Sequence, residues 1–385
     1  MTLALSLAQR GVRSRILEAR PTLSESGAGI QLGPNATRIL AQLGVTEQLA
    51  DTAVRPEEIV VRDARSGAPI TRLPLGGWIA ERHGAPYWVT HRRDLQAALH
   101  QRLRSEPLVT TKYGFAAEAI AETGETVTVT AADGQTAEGV LLVGADGIWS
   151  SVRHVVQPDF DLTFSGMMAV RAVAKIEHLP EAHQDIATGV WLLANAHIVK
   201  YPIEGGDTVA LVIIAAQAQP DAGWDSPVDV EQLMRALGDL DDDLRVSLAA
   251  ARAWRRWSLY DPKPMAAWTR GRCALIGDAA HPILPFLAQG GAMAIEDGYV
   301  LGQMIADNAG TPPAPIWQAF EAERRQRVGQ IQRASRANGR IFHLDGLAAA
   351  ARNLAMKSAP PTLLMQRYDW VYGWRYDATA GEVEL

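Results

Sequence analysis

Residues 275 to 291 read Leu-Ile-Gly-Asp-Ala-Ala-His-Pro-Ile-Leu-Pro-Phe-Leu-Ala-Gln-Gly-Gly, and the chain continues as AMAIEDGYVL. An apolar run leads to the turn Gly277-Asp278, crosses a loop containing Pro285 and Phe286, and opens a helix at Gly290 and Gly291. That order predicts a buried strand, a proline loop and a helix N-terminus. An aspartate at the carboxyl end of a parallel strand can accept a hydrogen bond from a polyol hydroxyl. The free N–H groups of the next helix can hold negative charge on a ring or a phosphate. Taken alone, the pattern equally suits an ordinary connection between a strand and a helix.

Two further segments narrow the choice. GVLLVGADGIWSSVR, residues 139 to 153, is another apolar strand that ends in Gly144-Ala145-Asp146-Gly147 and enters a helix near Ser150, with Arg153 close behind. RSRILEA, residues 13 to 19, is a short strand whose terminal Glu18 stands where a dinucleotide-binding unit places the acid for a ribose hydroxyl pair, with Arg20 beside it. Together the three segments resemble the aromatic-ring flavoprotein monooxygenases, the salicylate and hydroxybenzoate hydroxylase family. The resemblance implies an α/β fold: a Rossmann-type FAD-binding domain like that of p-hydroxybenzoate hydroxylase, interleaved with a β-sheet substrate domain and followed by a C-terminal helical segment. Glu18, Arg20, Asp146, Gly277, Asp278, Pro285, Gly290 and Gly291 are then the expected FAD-binding residues.

The beginning of the chain departs from the family pattern. A dinucleotide-binding unit starts with a strand and a G-x-G-x-x-G turn, and its acid follows about 20 residues later. Glu18 stands too near Met1 for that, and MTLALSLAQRG has the apolar spacing and glycine stop of a helix. The expectation is that the preceding strand and glycine loop are missing, that the natural reading frame extends upstream, and that FAD is held weakly without them.

Composition fits a soluble enzyme. A chain of 385 residues can bury large cores, and a net charge of −6 argues against nucleic acid or an anionic membrane as partner. The single cysteine, Cys273, sits in the apolar strand before Gly277 and excludes an internal disulfide framework. It reads as a core thiol, and the expected compartment is the cytoplasm. The nine histidines show no HExxH or paired Cys/His spacing, so no metal site is expected. A monomer or homodimer is expected.

Helices are predicted at 34–45, from its proline start and glycine stop, and at 91–103, with Asp94 as N-cap. Arg92 and Arg93 then lie at a helix N-terminus, and the resemblance makes Arg92 a diphosphate contact. Between 161 and 260 the pattern turns to extended segments, and Glu204-Gly205-Gly206-Asp207 between two of them predicts an antiparallel sheet. The expected FAD-binding domain comprises 1–70, 88–160 and 255–310. The substrate domain comprises 71–87 and 161–254, with a helix near 229–253, and the helical segment is 311–385.

AHIVKYPI, residues 196 to 203, places His197, Val199 and Tyr201 on one strand face. A His and a Tyr there are more often structural. The H-x-x-x-Y-P pattern, however, resembles the 3-hydroxybenzoate 6-hydroxylase and 6-hydroxynicotinate 3-monooxygenase branches, which implies that both meet the substrate's phenolic oxygen. Gln289 matches a family position that reaches the aromatic substrate, and Pro285 walls the same space. The implied reaction is hydroxylation of a small phenolic acid, of salicylate or 3-hydroxybenzoate type. NADH or NADPH reduces FAD, and O2 gives a flavin C4a-hydroperoxide. His197, directly or through Tyr201, would remove the phenolic proton and make the ring nucleophilic. Two alternatives remain open: a related FAD-dependent oxidoreductase with a non-phenolic substrate, and a catalytically impaired form poor in FAD.

Overall fold

Strands in chain order are β1 (Ser14–Leu17), β2 (Gly29–Leu32), β3 (Glu58–Asp63), β4 (Pro69–Pro74), β5 (Trp88–His91), β6 (Val109–Lys112), β7 (Ala117–Thr123), β8 (Thr126–Ala131) and β9 (Thr136–Gly139). They continue as β10 (Leu142–Gly144), β11 (Phe164–Lys175), β12 (Thr188–Leu193), β13 (Ala196–Ile203), β14 (Thr208–Ala216), β15 (Ser226–Pro227), β16 (Arg252–Tyr260), β17 (Thr269–Arg270) and β18 (Cys273–Leu275). The helices are α1 (Thr2–Gln9), α2 (Pro34–Gln42), α3 (Thr46–Leu49), α4 (Gly76–His83), α5 (Arg92–Arg104), α6 (Ser151–Val156), α7 (Val230–Leu237) and α8 (Asp242–Ala250). After them come α9 (Gly290–Asp307), α10 (Pro313–Phe342), α11 (Gly346–Ser358), α12 (Pro361–Gln366) and α13 (Asp369–Tyr372). This computed structural model describes residues 1–23, 29–221 and 225–377.

Parallel pairing marks the nucleotide-binding side. β1 runs parallel to β6, and β10 runs parallel to β18, whose other edge carries β17. No strand among the described residues joins these two ladders. The opening segment is helical as its spacing predicts, and α1 packs on α9: Ser6 Oγ donates to the Tyr299 carbonyl at 3.0 Å and accepts from Gln303 Nε2 at 3.0 Å.

The second layer is an eight-stranded sheet in the order β15-β16-β11-β14-β13-β12-β3-β4. Its face bearing Tyr201, Ala210, Val212 and Ala169 joins the core that includes Ala292 and Met293 of α9. The opposite face, with Ile198, Leu211, Ile213 and Val170, is covered by Leu233 of α7 and by Leu244 and Leu248 of α8. Each such apolar side chain, once buried, contributes about 1.5–3 kcal/mol.

Several expectations are corrected here. The sheet begins at Glu58 and extends to Tyr260, so it takes in β3 and most of β16 from segments assigned to the FAD-binding domain. The strands between 161 and 260 pair antiparallel throughout, as expected, and the sheet's parallel pair is between β12 and β3, a strand from outside that range. The helix near 229–253 is two, interrupted after Leu237 by Gly238 at φ +83°. The N-cap of α5 is His91, whose Nδ1 accepts from the Arg93 N–H at 3.1 Å, and Asp94 lies in the first turn. An imidazole nitrogen supplies the acceptor that Asp94 was expected to provide.

α9 and α10 are held together by charge. Glu296 and Asp297, adjacent on α9 and fully buried, receive Arg324 and Arg327 of α10. Arg324 Nη2 stands 2.8 Å from Glu296 Oε2, Arg324 Nε stands 2.8 Å from Asp297 Oδ1, and Arg327 Nη2 stands 2.9 Å from Glu296 Oε1. Asp297 Oδ2 also accepts from the Gly277 N–H at 2.9 Å and lies 2.6 Å from His281 Nε2. Trp374 stacks on both guanidiniums, at 4.9 Å from Arg324 and 5.3 Å from Arg327. Burial raises the Asp297 pKa, but His281, Arg324 and the Gly277 amide outweigh it and hold the carboxyl well below the usual range.

Arg324→Met would leave two buried carboxylates short of a counter-charge and should cost on the order of 3–5 kcal/mol. Urea unfolding measures it; a loss below about 1 kcal/mol would show that the ion pairs do not hold this packing. The pH dependence has a fixed sign. Because the folded pKa of Asp297 is depressed, its contribution is complete above the unfolded value of about 3.9 and is withdrawn as pH falls toward the folded one. Asp297→Asn should therefore flatten the stability profile below about pH 4, read from urea midpoints across that range.

Candidate active site

Three acids stand at the carboxyl ends of parallel strands: Glu18 directly after β1, Asp146 after β10 and Asp278 after β18. Glu18 is half-buried and accepts the Arg20 N–H at 2.9 Å, which orders the turn below the strand. Asp146 Oδ2 is committed to the start of α6, where it accepts from the backbone of Ser151 at 2.8 Å and of Val152 at 3.2 Å. Its Oδ1 is the oxygen left for a ligand. Asp278 is exposed on its turn, yet the surrounding protein raises its pKa by burial, against His281, Arg92 and Arg153, which lower it.

Arg153 locks two of these turns to each other. Its guanidinium donates to the carbonyls of Ile148 at 2.7 Å and Gly147 at 3.2 Å on one side, and of Ala279 at 2.7 Å and Asp278 at 2.7 Å on the other. Four carbonyl acceptors satisfy a nearly buried cation without any carboxylate, so both loops keep one geometry. Gly277 permits the second turn: its φ is +58°, and a Cβ there would come within 2.9 Å of the Ala294 Cβ on α9.

The loop 282–287 is clamped by α10. Ser335 Oγ donates to the Leu284 carbonyl at 2.6 Å, and Gln332 Nε2 donates to that of Pro282 at 3.1 Å. Phe286 is thereby buried against the eight-stranded sheet, its ring 5.6 Å from that of His197, and Pro285 is half-buried beside it. Gln289, 1% exposed, accepts from Asn35 Nδ2 at 3.0 Å. Asn35 Nδ2 also donates to Glu296 at 2.7 Å, so the charged network sets the Gln289 amide with its donor end left for a ligand.

On the sheet, His197 and Tyr201 share a face but have different partners. Tyr201 donates its hydroxyl to the Gly29 carbonyl at 3.0 Å, and a Cβ on Gly29 would overlap its ring. His197, 2% exposed, places Nδ1 2.8 Å from His343 Nε2, with Phe342 5.3 Å away. Burial foremost, and then the neighbouring His343, lower the His197 pKa to about 3, so it stands neutral and unprotonated on one nitrogen at neutral pH. Arg171 of β11 faces the same side: it lies opposite Val212, which lies opposite Val199. Its guanidinium stacks on Trp257 at 5.0 Å and makes no ion pair among the described residues. Burial lowers its pKa, Tyr201 raises it and Arg92 lowers it, which puts all three within electrostatic reach.

These residues suit FAD. A Cβ on Gly290 would meet no atom within 4 Å, so open space lies over the first turn of α9, where unpaired amides favour an electron-rich ring edge. Asp278 and Arg92 at the N-terminus of α5 are both exposed and within electrostatic reach of each other.

Comparison with known proteins agrees. Residues 1–335 match the family model described as FAD binding domain. The chain is 34% identical over 374 residues to 3-hydroxybenzoate 6-hydroxylase of Polaromonas naphthalenivorans, covering 96% of this chain and 92% of that protein. The chain belongs to the FAD-dependent aromatic-ring monooxygenases. A second relative of this monooxygenase is the 3-amino-4-hydroxybenzoate 2-monooxygenase PtnB3 of Streptomyces platensis, 35% identical over 97% of this chain and 93% of that one. In fold the monooxygenase matches Klebsiella pneumoniae HpxO complexed with FAD and uric acid, with a TM-score of 0.83, 24% identity and coverage of 95% and 92%.

Sequence reasoning missed the partners Arg153, Asn35, Arg171 and His343. A lone Arg after an Asp-Gly turn or a His ending a long helix carries no local signal of what it meets. Cys273 is the buried thiol that was expected, its pKa pushed up to about 12 by burial and by Glu122. Among the described residues of the monooxygenase, no helix is long and apolar enough to cross a membrane.

Asp278→Ala should remove a hydrogen bond to a hydroxyl buried in the complex and cost about 1–3 kcal/mol of FAD affinity. Flavin fluorescence titration reads the change, and an unaltered Kd would mean that another acid carries the contact.

Proposed function

We propose that this monooxygenase hydroxylates a small phenolic acid, of the salicylate or 3-hydroxybenzoate type, using NADH or NADPH and O2. The observation that carries this reading is His197: neutral, buried on the sheet face toward the FAD side, against Phe286 of the loop that follows Asp278. Bound FAD, reduced by the nicotinamide, supplies with O2 an electrophilic oxygen. The chain's own residues then have three tasks.

The first is to make the ring nucleophilic. His197 Nδ1 is occupied by His343, so Nε2 is the nitrogen available for a phenolic proton. Tyr201 fixes the ring's position, since its own hydroxyl is anchored on Gly29 and its pKa is raised by burial. The second is to hold the acid group. Arg171 is a cation without a carboxylate partner among the described residues, and a substrate carboxylate would compensate it. The third is to exclude water, which Pro285, Phe286 and Leu287 do from one side while Gln289 offers an amide donor. Glu18, Arg20, Arg92, Asp146, Asp278, Gly290 and Gly291 hold the cofactor in this reading. The relatives' names favour it, since 3-hydroxybenzoate and 3-amino-4-hydroxybenzoate are both phenolic acids.

His197→Ala and Tyr201→Phe should bind FAD and consume NAD(P)H, yet divert electrons to hydrogen peroxide. Coupled hydroxylation should fall on the order of 10². Product, peroxide and stopped-flow flavin reduction are measured on the same samples. Full coupling in both variants would return the two residues to a packing role.

A further inference from the structure

His197 is badly placed to act alone. It is buried among Phe286, Phe342 and His343, and an imidazolium stranded there would have no carboxylate among the described residues paired with it. A base in such a site works only if the proton moves on. Among the described residues, the polar group that its ring meets is His343, at 2.8 Å from Nδ1 to Nε2.

His343 differs from His197 in position and exposure. It directly follows α10, the 30-residue helix, and its ring is half-buried, so it touches both the interior and solvent. Its backbone is fixed on both sides: its N–H donates to the Gly339 carbonyl at 3.1 Å, and its carbonyl accepts from Asn195, in the turn between β12 and β13, at 3.3 Å. The C-terminal end of a helix favours a cation by about 0.3–1 kcal/mol. Arg352 of α11 opposes it, donating to the Ile341 and Phe342 carbonyls at 2.9 Å each, and is itself faced by Asp63 of β3. Burial first and Arg352 second bring the His343 pKa to about 4, so it too is neutral and returns a proton to water quickly.

We propose that His343 is a relay residue that connects His197 to solvent and carries the phenolic proton out of the closed site. This rests on the reading of His197 as the base for a phenol. With neutral His197 protonated on Nδ1, the phenolic O–H breaks as a bond to His197 Nε2 forms. The Nδ1 proton passes to His343 Nε2, and His343 Nδ1 releases its own proton to water. One proton leaves the phenol, one reaches solvent, the phenolate keeps the negative charge, and no positive charge stays on His197 beside Phe286. The same steps in reverse protonate the product as it departs and restore both tautomers.

The test uses the FAD-loaded enzyme with 3-hydroxybenzoate and salicylate. His343→Ala and His343→Gln should keep flavin reduction by NAD(P)H, because His343 is not placed against the cofactor. Coupled hydroxylation should drop on the order of 10-fold, its pH profile should shift so that activity recovers at high pH where the phenol ionises unaided, and added imidazole should restore the His343→Ala rate. A merely structural role would give neither the imidazole rescue nor the altered pH profile. Wild-type enzyme that hydroxylates these acids while both variants match its rate and profile overturns the relay alone. Loss of activity without rescue and with an unchanged profile does so as well. Wild-type enzyme that turns over no phenolic acid overturns the reading of His197, and the relay with it.

Discussion

Glu296 and Asp297 occupy adjacent positions on α9, have no exposure to solvent, and between them receive two arginines, a histidine, a backbone amide and, through Asn35, the amide of Gln289. Carboxylates this deep are tolerable only when their oxygens are paired, because an uncompensated buried charge costs several kcal/mol. Meeting that requirement fixes much else. Asp297 sets the turn at Gly277 and thereby the carbonyls that Arg153 grips. Glu296 sets Asn35, which sets Gln289 at the mouth of α9. Arg324 and Arg327 draw α10 alongside, and α10 presses the loop bearing Pro285 and Phe286 onto the sheet. The polar centre is thus the reference frame for both the cofactor side and the substrate side.

Part of this frame was readable in the chain. Local patterns carried the elements: the apolar strands before Asp146 and Asp278, the helical spacing of α1, the proline and glycine that bound α2, and the alternation that put His197 and Tyr201 on one face. What local pattern could not carry was pairing across distance. Arg324 meets Asp297 across 27 positions, Arg153 meets Asp278 across 125, and His197 meets His343 across 146. Charged residues on a helix ordinarily read as a solvated face, so the arginines of α10 gave no hint that two of them are interior. β3 escaped assignment to the large sheet for a related reason: its parallel pairing with β12 is a tertiary fact without a sequence signature.

Beside the apolar core that the two layers share, specific polar contacts join them. Tyr201 reaches across to the backbone of β2, and Arg93 at the start of α5 ion-pairs Glu204 at the hairpin between β13 and β14 at 3.0 Å. An exposed ion pair contributes little to stability, but it limits how the sheet can slide over the FAD side. Gly29, with no side chain to obstruct the Tyr201 ring, lets that crossing be close.

α10 is a rod of about 45 Å, from a rise of about 1.5 Å per residue over its length. Near its beginning Trp317 donates to the Gly271 carbonyl beside β18; at its middle it supplies Arg324 and Arg327; near its end it holds the Phe286 loop and delivers His343 to β13 of the eight-stranded sheet. Each residue added to a helix rotates everything beyond it by about 100°. A single insertion between Arg327 and His343 would therefore swing the imidazole to another side of the rod while leaving composition, charge and helicity almost untouched. The length of this helix is consequently as strict a requirement as the identity of any side chain on it, whereas a residue added to the turn 132–135 between β8 and β9 would rotate nothing on α10.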